Sequence, residues 1–333
     1  GSPADLAALL GLPVVFVVDC SHMAHSIAAL VEGFNNHRAD VLIAGVILNR
    51  VGSPRHEQML RDALDSGGVP VIGAVRQDAL LALPSRHLGL VQAGEHENLE
   101  RFIDNAAFAV TVGVDLERIA GLAAVRGDEA VTAAVPRLPP LGQRIAVARD
   151  EAFAFSYPHI LGGWRRHGAE ISFFSPLADE APAADSDAVY LPGGYPELHA
   201  GRISGAARFI DGLRAASGAG KPVYGECGGY MVLGDGLVDA DGKRHEMAGL
   251  LPVVTSFEKR QRHLGYRRLA PLAGSPWQLR LTAHEFHYST LVSEGEGERL
   301  FAATDARGEN LGAAGLRRGS VAGSYMHVID RAD

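Results

Sequence analysis

The chain predicts an α/β protein built from two domains. Three observations carry the prediction: short apolar runs rich in β-branched residues alternate with helically spaced segments, the runs end in turn-forming residues, and a proline-rich passage separates two such series. Residues 14–18, an unbroken run of valine and phenylalanine, read as a first buried strand. Ile27, Val31 and Phe34 then recur at helical spacing, which predicts a helix over 26–34. A second strand is expected at 41–48, a helix face at Met59, Leu60, Ala63 and Leu64, and a third strand at 70–75. Alternation of this kind implies a parallel sheet with crossover helices. From residue 125 the chain loosens, and Arg126-Gly127-Asp128-Glu129 leads to Pro136, Pro139 and Pro140. Residues 126–142 are therefore the expected linker between a domain at 1–125 and another at 143–333. Alternation resumes with strands beginning at Ile145 and covering 171–174, 188–191 and 223–225, and no internal repeat is visible.

Composition bounds the function. With 333 residues, 47% of them hydrophobic, the chain has apolar material for two domains of ordinary size. A net charge of −8 without a dense Lys/Arg stripe argues against broad nucleic-acid binding. Arg260, Arg262, Arg267 and Arg268 are either a solvated strand edge or a local meeting place for a polycarboxylate. The 2 cysteines give no disulfide framework and suit a reducing compartment. No apolar stretch approaches the roughly 18 to 20 residues of a membrane span, and no signal peptide is visible, so a cytoplasmic location without membrane partners is expected.

Chemistry concentrates in the second half. Residues 223–229 read Val-Tyr-Gly-Glu-Cys-Gly-Gly, a strand ending in a glycine-flanked cysteine that resembles a nucleophile elbow. Such a turn is expected to lift the Cys227 sulfur clear and to aim a helix start at it, which would lower the thiol pKa. The plainer reading is a small buried hydrophobe beside a tight turn. The loop from Leu191 through Pro192, Gly193, Gly194, Tyr195 and Pro196 to Glu197 follows another strand. Its backbone N–H groups, with that of Gly228, are candidate oxyanion donors, Gly194 first among them. His327, on a short apolar run, is the candidate base, since a fold can return it to Cys227 from far away in sequence.

These segments resemble the class I glutamine amidotransferase domain of the corrin-ring amidases. The resemblance runs from about Arg144 to the end and rests on residues 145–153, 191–199, 225–229, 284–289 and the segment around His327. It implies amidation of two acetate side chains of a corrin, with glutamine as nitrogen donor. Residues 254–260 with His263, Leu264, Gly265 and Tyr266 look more like the cobalt-free, hydrogenobyrinic branch than like enzymes acting on cobyrinic acid or nickel-sirohydrochlorin. An idle, ligand-binding relative is the alternative from another class. A serine hydrolase is remoter, because the elbow carries cysteine.

One departure concerns the third catalytic group. Many class I amidotransferases place a glutamate two residues after the histidine, where this chain has Ile329. Asp330 would substitute only if the backbone turned, so a Cys-His dyad is expected, its histidine held by a backbone carbonyl. Histidines 284 and 287 flank Glu285 and Phe286, but strand alternation puts only Glu285 and His287 on one face. Two same-face residues are too few for a metal site, and none is expected.

In the first half, ligands are expected beyond the carboxyl ends of the strands, where Asp19, Asn49 and Arg50 fall. Asp19 either orients a nucleotide with Mg²⁺ or caps the following helix together with Ser21. Asn49 and Arg50 resemble the base-reading pair of amidases related to dethiobiotin synthetases, although asparagine there is also a common turn former. The resemblance implies ATP and Mg²⁺ as cofactors, a dethiobiotin-synthetase-like P-loop sheet, glutamine and a corrin polycarboxylate as partners, and admits a homodimer. No phosphate-binding loop is present: Gly218-Ala219-Gly220-Lys221 is followed by Pro222 where Ser or Thr should stand. In the family the P-loop precedes a stretch like residues 1–6, so the chain is expected to lack roughly a hundred residues of that sheet.

Overall fold

The structure is a computed structural model that describes residues 2–123, apart from 84, 87, 88, 92 and 97, and residues 137–332. The chain divides into two compact units, Gly1–Thr132 and Ala133–Asp333.

The first unit starts with helix α1 (Pro3–Leu10), opened by a capping box in which the Ser2 hydroxyl accepts from Asp5 N–H and the Asp5 carboxylate accepts from Ser2 N–H. Strands β1 (Val14–Asp19), β2 (Ile43–Val51) and β3 (Val71–Arg76) form a three-stranded parallel sheet. Helices α2 (Ser26–His37) and α3 (Pro54–Leu64) cross between them, as the alternation predicts. Val18, Ile27, Val31, Leu48 and Leu60 make the core. A short pair, β4 (Ser85–Arg86) and β5 (Gly89–Leu90), precedes helices α4 (Leu99–Gly113) and α5 (Leu116–Ala123), all of them beyond the elements expected from the sequence. Most of the expected linker, residues 126–136, lies outside the described residues. Its last part packs on the second unit: Leu138 is buried there, Arg137 pairs with Asp330, and Pro139 O accepts from the Trp277 indole.

The second unit contains β6 (Arg144–Ala148), α6 (Pro158–Arg166), β7 (Glu170–Phe174), β8 (Ala188–Leu191), α7 (Ala200–Gly205), α8 (Ala207–Gly218), β9 (Val223–Glu226) and α9 (Gly228–Leu233). Short strands β10 (Gly236–Val238), β11 (Arg244–Glu246) and β12 (Val253–Ser256) follow. An antiparallel series then closes the chain: β13 (His263–Pro271), β14 (Leu281–His287), β15 (Thr290–Glu294), β16 (Glu298–Asp305), β17 (Asn310–Arg318), β18 (Val321–Ser324) and β19 (Met326–Arg331). One ten-stranded sheet runs β19-β14-β13-β16-β17-β18-β9-β8-β6-β7, parallel from β18 to β7 and antiparallel from β19 to β18. A four-stranded sheet, β11-β10-β12-β15, lies beside it.

Among the parallel strands β6, β8, β9 and β18 are buried on both faces, which is why they read as continuous apolar runs, whereas the edge strand β7 is largely exposed. Ala146 and Ala148 pack into one cluster with Leu191, Phe209 and Leu233, while the alternating Ile145 and Val147 pack into another with Trp164, Leu281 and Val328. The long sheet curls until its edge strand meets its middle, since Val328 N–H donates 3.3 Å to Glu226 Oε1 on β9. That curl brings the last strand of the chain to the carboxyl end of β9. No described helix is long and apolar enough to cross a membrane.

Candidate active site

Cys227 stands between β9 and α9 with φ 48° and ψ −105°, a conformation that costs a non-glycine residue about 1 to 3 kcal/mol and persists only where the surroundings enforce it. Its N–H donates 2.8 Å to Ser324 O, so the end of β18 fixes the turn. From Ser324 the chain passes through Tyr325 into β19, where alternation turns Met326 and Val328 into the core and His327 to the opposite side. Gly193 packs against both candidate residues. A Cβ built there would lie 2.3 Å from His327 Cε1 and 3.3 Å from Cys227 Cβ. Glycine is thus required for the cysteine and the histidine to close around that loop. The two expected oxyanion donors also meet, because a Cβ on Gly228 would stand 3.1 Å from Gly194 N.

Two expectations about these residues fail. The Cys227 sulfur is not lifted clear: the residue is only 4% exposed, and Sγ lies 3.9 Å from Phe286 O. Burial, then the negative charges of Glu197, Glu226 and Glu285, push its thiol well above the ordinary range, and only the Gly228 N–H works in favour of the thiolate. The helix start cannot outweigh this, since α9 is six residues long. His327 is 2% exposed, and among the described residues no backbone carbonyl bonds its Nδ1, which is buried without a hydrogen-bond partner. Burial, with smaller contributions from His284 and His287, lowers its pKa to about 3, so the imidazole is neutral at physiological pH. The ring is held by stacking: His284, its register partner on β14, lies 4.6 Å away at 5°. The Tyr157 hydroxyl in turn hydrogen-bonds His284. Asp330 does not approach this ring, being committed to Arg137 and to Leu138 N–H.

Glu226 is a site residue that the strand pattern conceals, since in sequence it is simply the last position before the cysteine. It is 1% exposed, its Oε2 accepts 2.9 Å from Tyr190 OH, and its Oε1 faces Val328 N–H, next in chain to His327. Burial raises its pKa to about 8 against the pull of those hydrogen bonds. An acidic residue inside an otherwise apolar run is the signal that could have found it.

On β14 the expected faces hold. His284 turns to Tyr157 and His327, whereas Glu285 and His287 share the other side, 3.1 Å apart. Burial alone would raise Glu285, but hydrogen bonds and charge from His287 and Arg267 hold its carboxyl at about 2. Arg267, for which the sequence allows a strand-edge charge or a polycarboxylate contact, is instead largely buried in an ion pair.

In the first unit, Asp19 and Asn49 are register partners at the carboxyl ends of β1 and β2. Arg50 reaches 3.0 Å from Asp19, and both side chains are about half exposed. The Ser21 N–H, bonded to Asp19 Oδ1, is the main reason that carboxyl titrates below its usual range. Asn49 Oδ1 accepts from the N–H of Arg50, whose φ is 58°. Cys20 is buried and donates to Val18 O, as befits a structural thiol.

Residues 144–333 match the CobB/CobQ-like glutamine amidotransferase domain, and residues 2–91 match the CobQ/CobB/MinD/ParA nucleotide binding domain. Hydrogenobyrinate a,c-diamide synthases from a Sinorhizobium species and from Rhizobium meliloti are each 62% identical over 99% of this chain and 76% of the relative. The one from Brucella anthropi is 61% identical over the same shares. A solved glutamine amidotransferase from Thermotoga maritima superposes with a TM-score of 0.38 at 17% identity, over 55% of this chain and 75% of that one, too loosely to add to the argument. Fold and matched domains define a glutamine amidotransferase joined to a nucleotide-binding unit. Within that class, the chain belongs to the family of the hydrogenobyrinate a,c-diamide synthases.

Proposed function

We propose that this chain works in the ATP- and glutamine-dependent amidation of the a- and c-acetate carboxylates of hydrogenobyrinic acid, a step of cobalamin biosynthesis in the cytoplasm. The names of relatives 62% identical support the substrate. The observation that carries the chemistry is Gly193, packed between Cys227 and His327. In this reading residues 1–125 belong to the ATP-dependent unit, 126–142 join, and 143–333 form the glutaminase.

Both catalytic groups rest neutral, a thiol beside an unprotonated imidazole. As Cys227 Sγ attacks the side-chain amide carbon of glutamine, its proton passes to His327. The N–H groups of Gly194 and Gly228 receive the developing oxyanion. His327 returns the proton to the departing nitrogen, giving ammonia and a glutamyl thioester, which water hydrolyses to glutamate. A neutral resting pair suits this order, because charge separates only once a carbonyl oxygen is present to take up the negative end.

Asp19, Asn49 and Arg50 would hold ATP and its Mg²⁺. Their arrangement fits this role, because an exposed ion pair contributes only about 0 to 1 kcal/mol and opens readily to phosphate oxygens or a hydrated cation. When bound, ATP supplies the phosphoryl group that makes a corrin carboxylate reactive toward ammonia.

Acid quenching of the chain during glutamine turnover, followed by mass spectrometry, tests the glutaminase assignment. A glutamyl adduct on the Cys227 peptide is expected. An adduct elsewhere, or turnover in Cys227→Ser equal to the parent, contradicts it.

A further inference from the structure

We propose that His263, Glu285 and His287 form a binding site for a divalent transition-metal ion of the Zn²⁺ class, distinct from the Cys-His site. The sequence offers only Glu285 and His287 on one strand face. The third ligand comes from β13, where antiparallel register sets His263 directly opposite His287. One ligand atom from each of the three lies within 4.8 Å of the others. Glu285 Oε1 and His287 Nε2 are 3.1 Å apart. Zinc held at 2.0 to 2.2 Å by tetrahedral ligands separates them by roughly 3.3 Å, so that pair already has the required spacing.

The remaining atoms of Glu285 and His287 are occupied by other partners, as metal ligands require. His287 Nδ1 faces Ser289, 3.0 Å from Oγ and 3.2 Å from the carbonyl O, which leaves Nε2 to the ion. Glu285 Oε2 takes both hydrogen bonds from Arg267, at 2.8 and 3.0 Å, which leaves Oε1. Tyr325 stacks on His287 at 3.9 Å and fixes the ring plane. His263 stacks on His287 as well, 4.6 Å away at 13°, and binding requires it to leave that pose and swing its edge toward Glu285. It is half-buried at the first residue of β13. A cavity of about 350 Å³, lined by His263, Glu285, Tyr230 and Tyr325, leaves room for water in a fourth position. The Arg267 charge selects the class of ion: it weakens a site for Mg²⁺ or Ca²⁺, which depends on carboxylates, more than one built on two imidazoles.

The test is titration of the full, chelator-treated chain with Co²⁺ as a spectroscopic probe and Zn²⁺ as competitor. Saturation at a single ion per chain is expected, with visible d–d bands, no thiolate-to-cobalt charge transfer, and displacement by Zn²⁺. His263→Ala and Glu285→Gln should each weaken binding about tenfold or more while keeping the far-ultraviolet circular dichroism of the parent, and Zn²⁺ should raise the melting temperature of the parent only. The proposal is overturned by absence of saturable binding, by a charge-transfer band lost in Cys227→Ser or Cys20→Ser, or by undiminished binding in His263→Ala.

Discussion

Two strand ends in this molecule look alike in sequence and differ in physics. At the ends of β1 and β2, Asp19, Asn49 and Arg50 stand about half in water, and their charges are balanced by each other and by backbone N–H groups. At the ends of β8 and β9, Cys227 and its loop partners Gly193 and Gly194 are buried, and burial is the largest cause of the shifts at Cys227, Glu226 and His327. The first is a surface where charge is cheap to rearrange; the second is a closed site where burial disfavours charge on either group. Strand topology places ligand groups at both ends, but the layers packed above them determine what those groups can do.

The contrast can be broken most forcefully at the closed site. Cys227→Ser removes the nucleophile and should lower glutamate release about 10⁴-fold or more, with the melting temperature little changed. Gly193→Ala comes next. The added methyl would overlap the His327 ring, so glutaminase turnover should fall about 10²-fold or more while circular dichroism stays that of the parent.

Glu226 sharpens the contrast through pH. Its carboxyl is raised from 4.5 to about 8, so the folded chain keeps a proton that the unfolded chain has released; that stabilisation is complete below pH 4.5 and is lost as pH rises through 8. His327, lowered from 6.5 to about 3, acts at the other end: its contribution is present above pH 6.5 and erodes as pH falls toward 3. Unfolding free energies of the parent from urea titrations should therefore decline between about pH 6 and 9, by on the order of 2 kcal/mol, and Glu226→Gln should flatten that decline. A parent and variant with the same slope would remove Glu226 from the account. The smallest effect belongs to the open site, where Arg50→Ala should shift stability by no more than about 0.5 kcal/mol in thermal unfolding. Its ATP-dependent amidation should nevertheless fall.

How much of this is legible in the sequence follows from how local each feature is. Cys227, Gly194, Gly228 and, in the first unit, Asp19 lie at strand ends marked by an apolar run and a turn, and each stands at such a strand end in the structure. His327 is legible only as a histidine on a short apolar run, since nothing near it in sequence points to residue 227. The thiol's reactivity is misjudged from sequence because a helix start is visible there whereas the layers that bury it are not. His263 is invisible as a partner of Glu285, because antiparallel register between β13 and β14 sets that contact and no short-range pattern encodes it. The antiparallel half of the long sheet is hidden for a related reason: β13 alternates exposed and half-buried residues such as Leu264, Gly265 and Tyr266, and lacks the continuous apolar run of a parallel strand.

The most direct measurement is glutamate release from glutamine by this chain, beside Cys227→Ser and His327→Ala, with and without ATP and hydrogenobyrinic acid. The account predicts release by the parent that both substitutions abolish. Release that survives either substitution would contradict the Cys227–His327 assignment on which the proposed function rests.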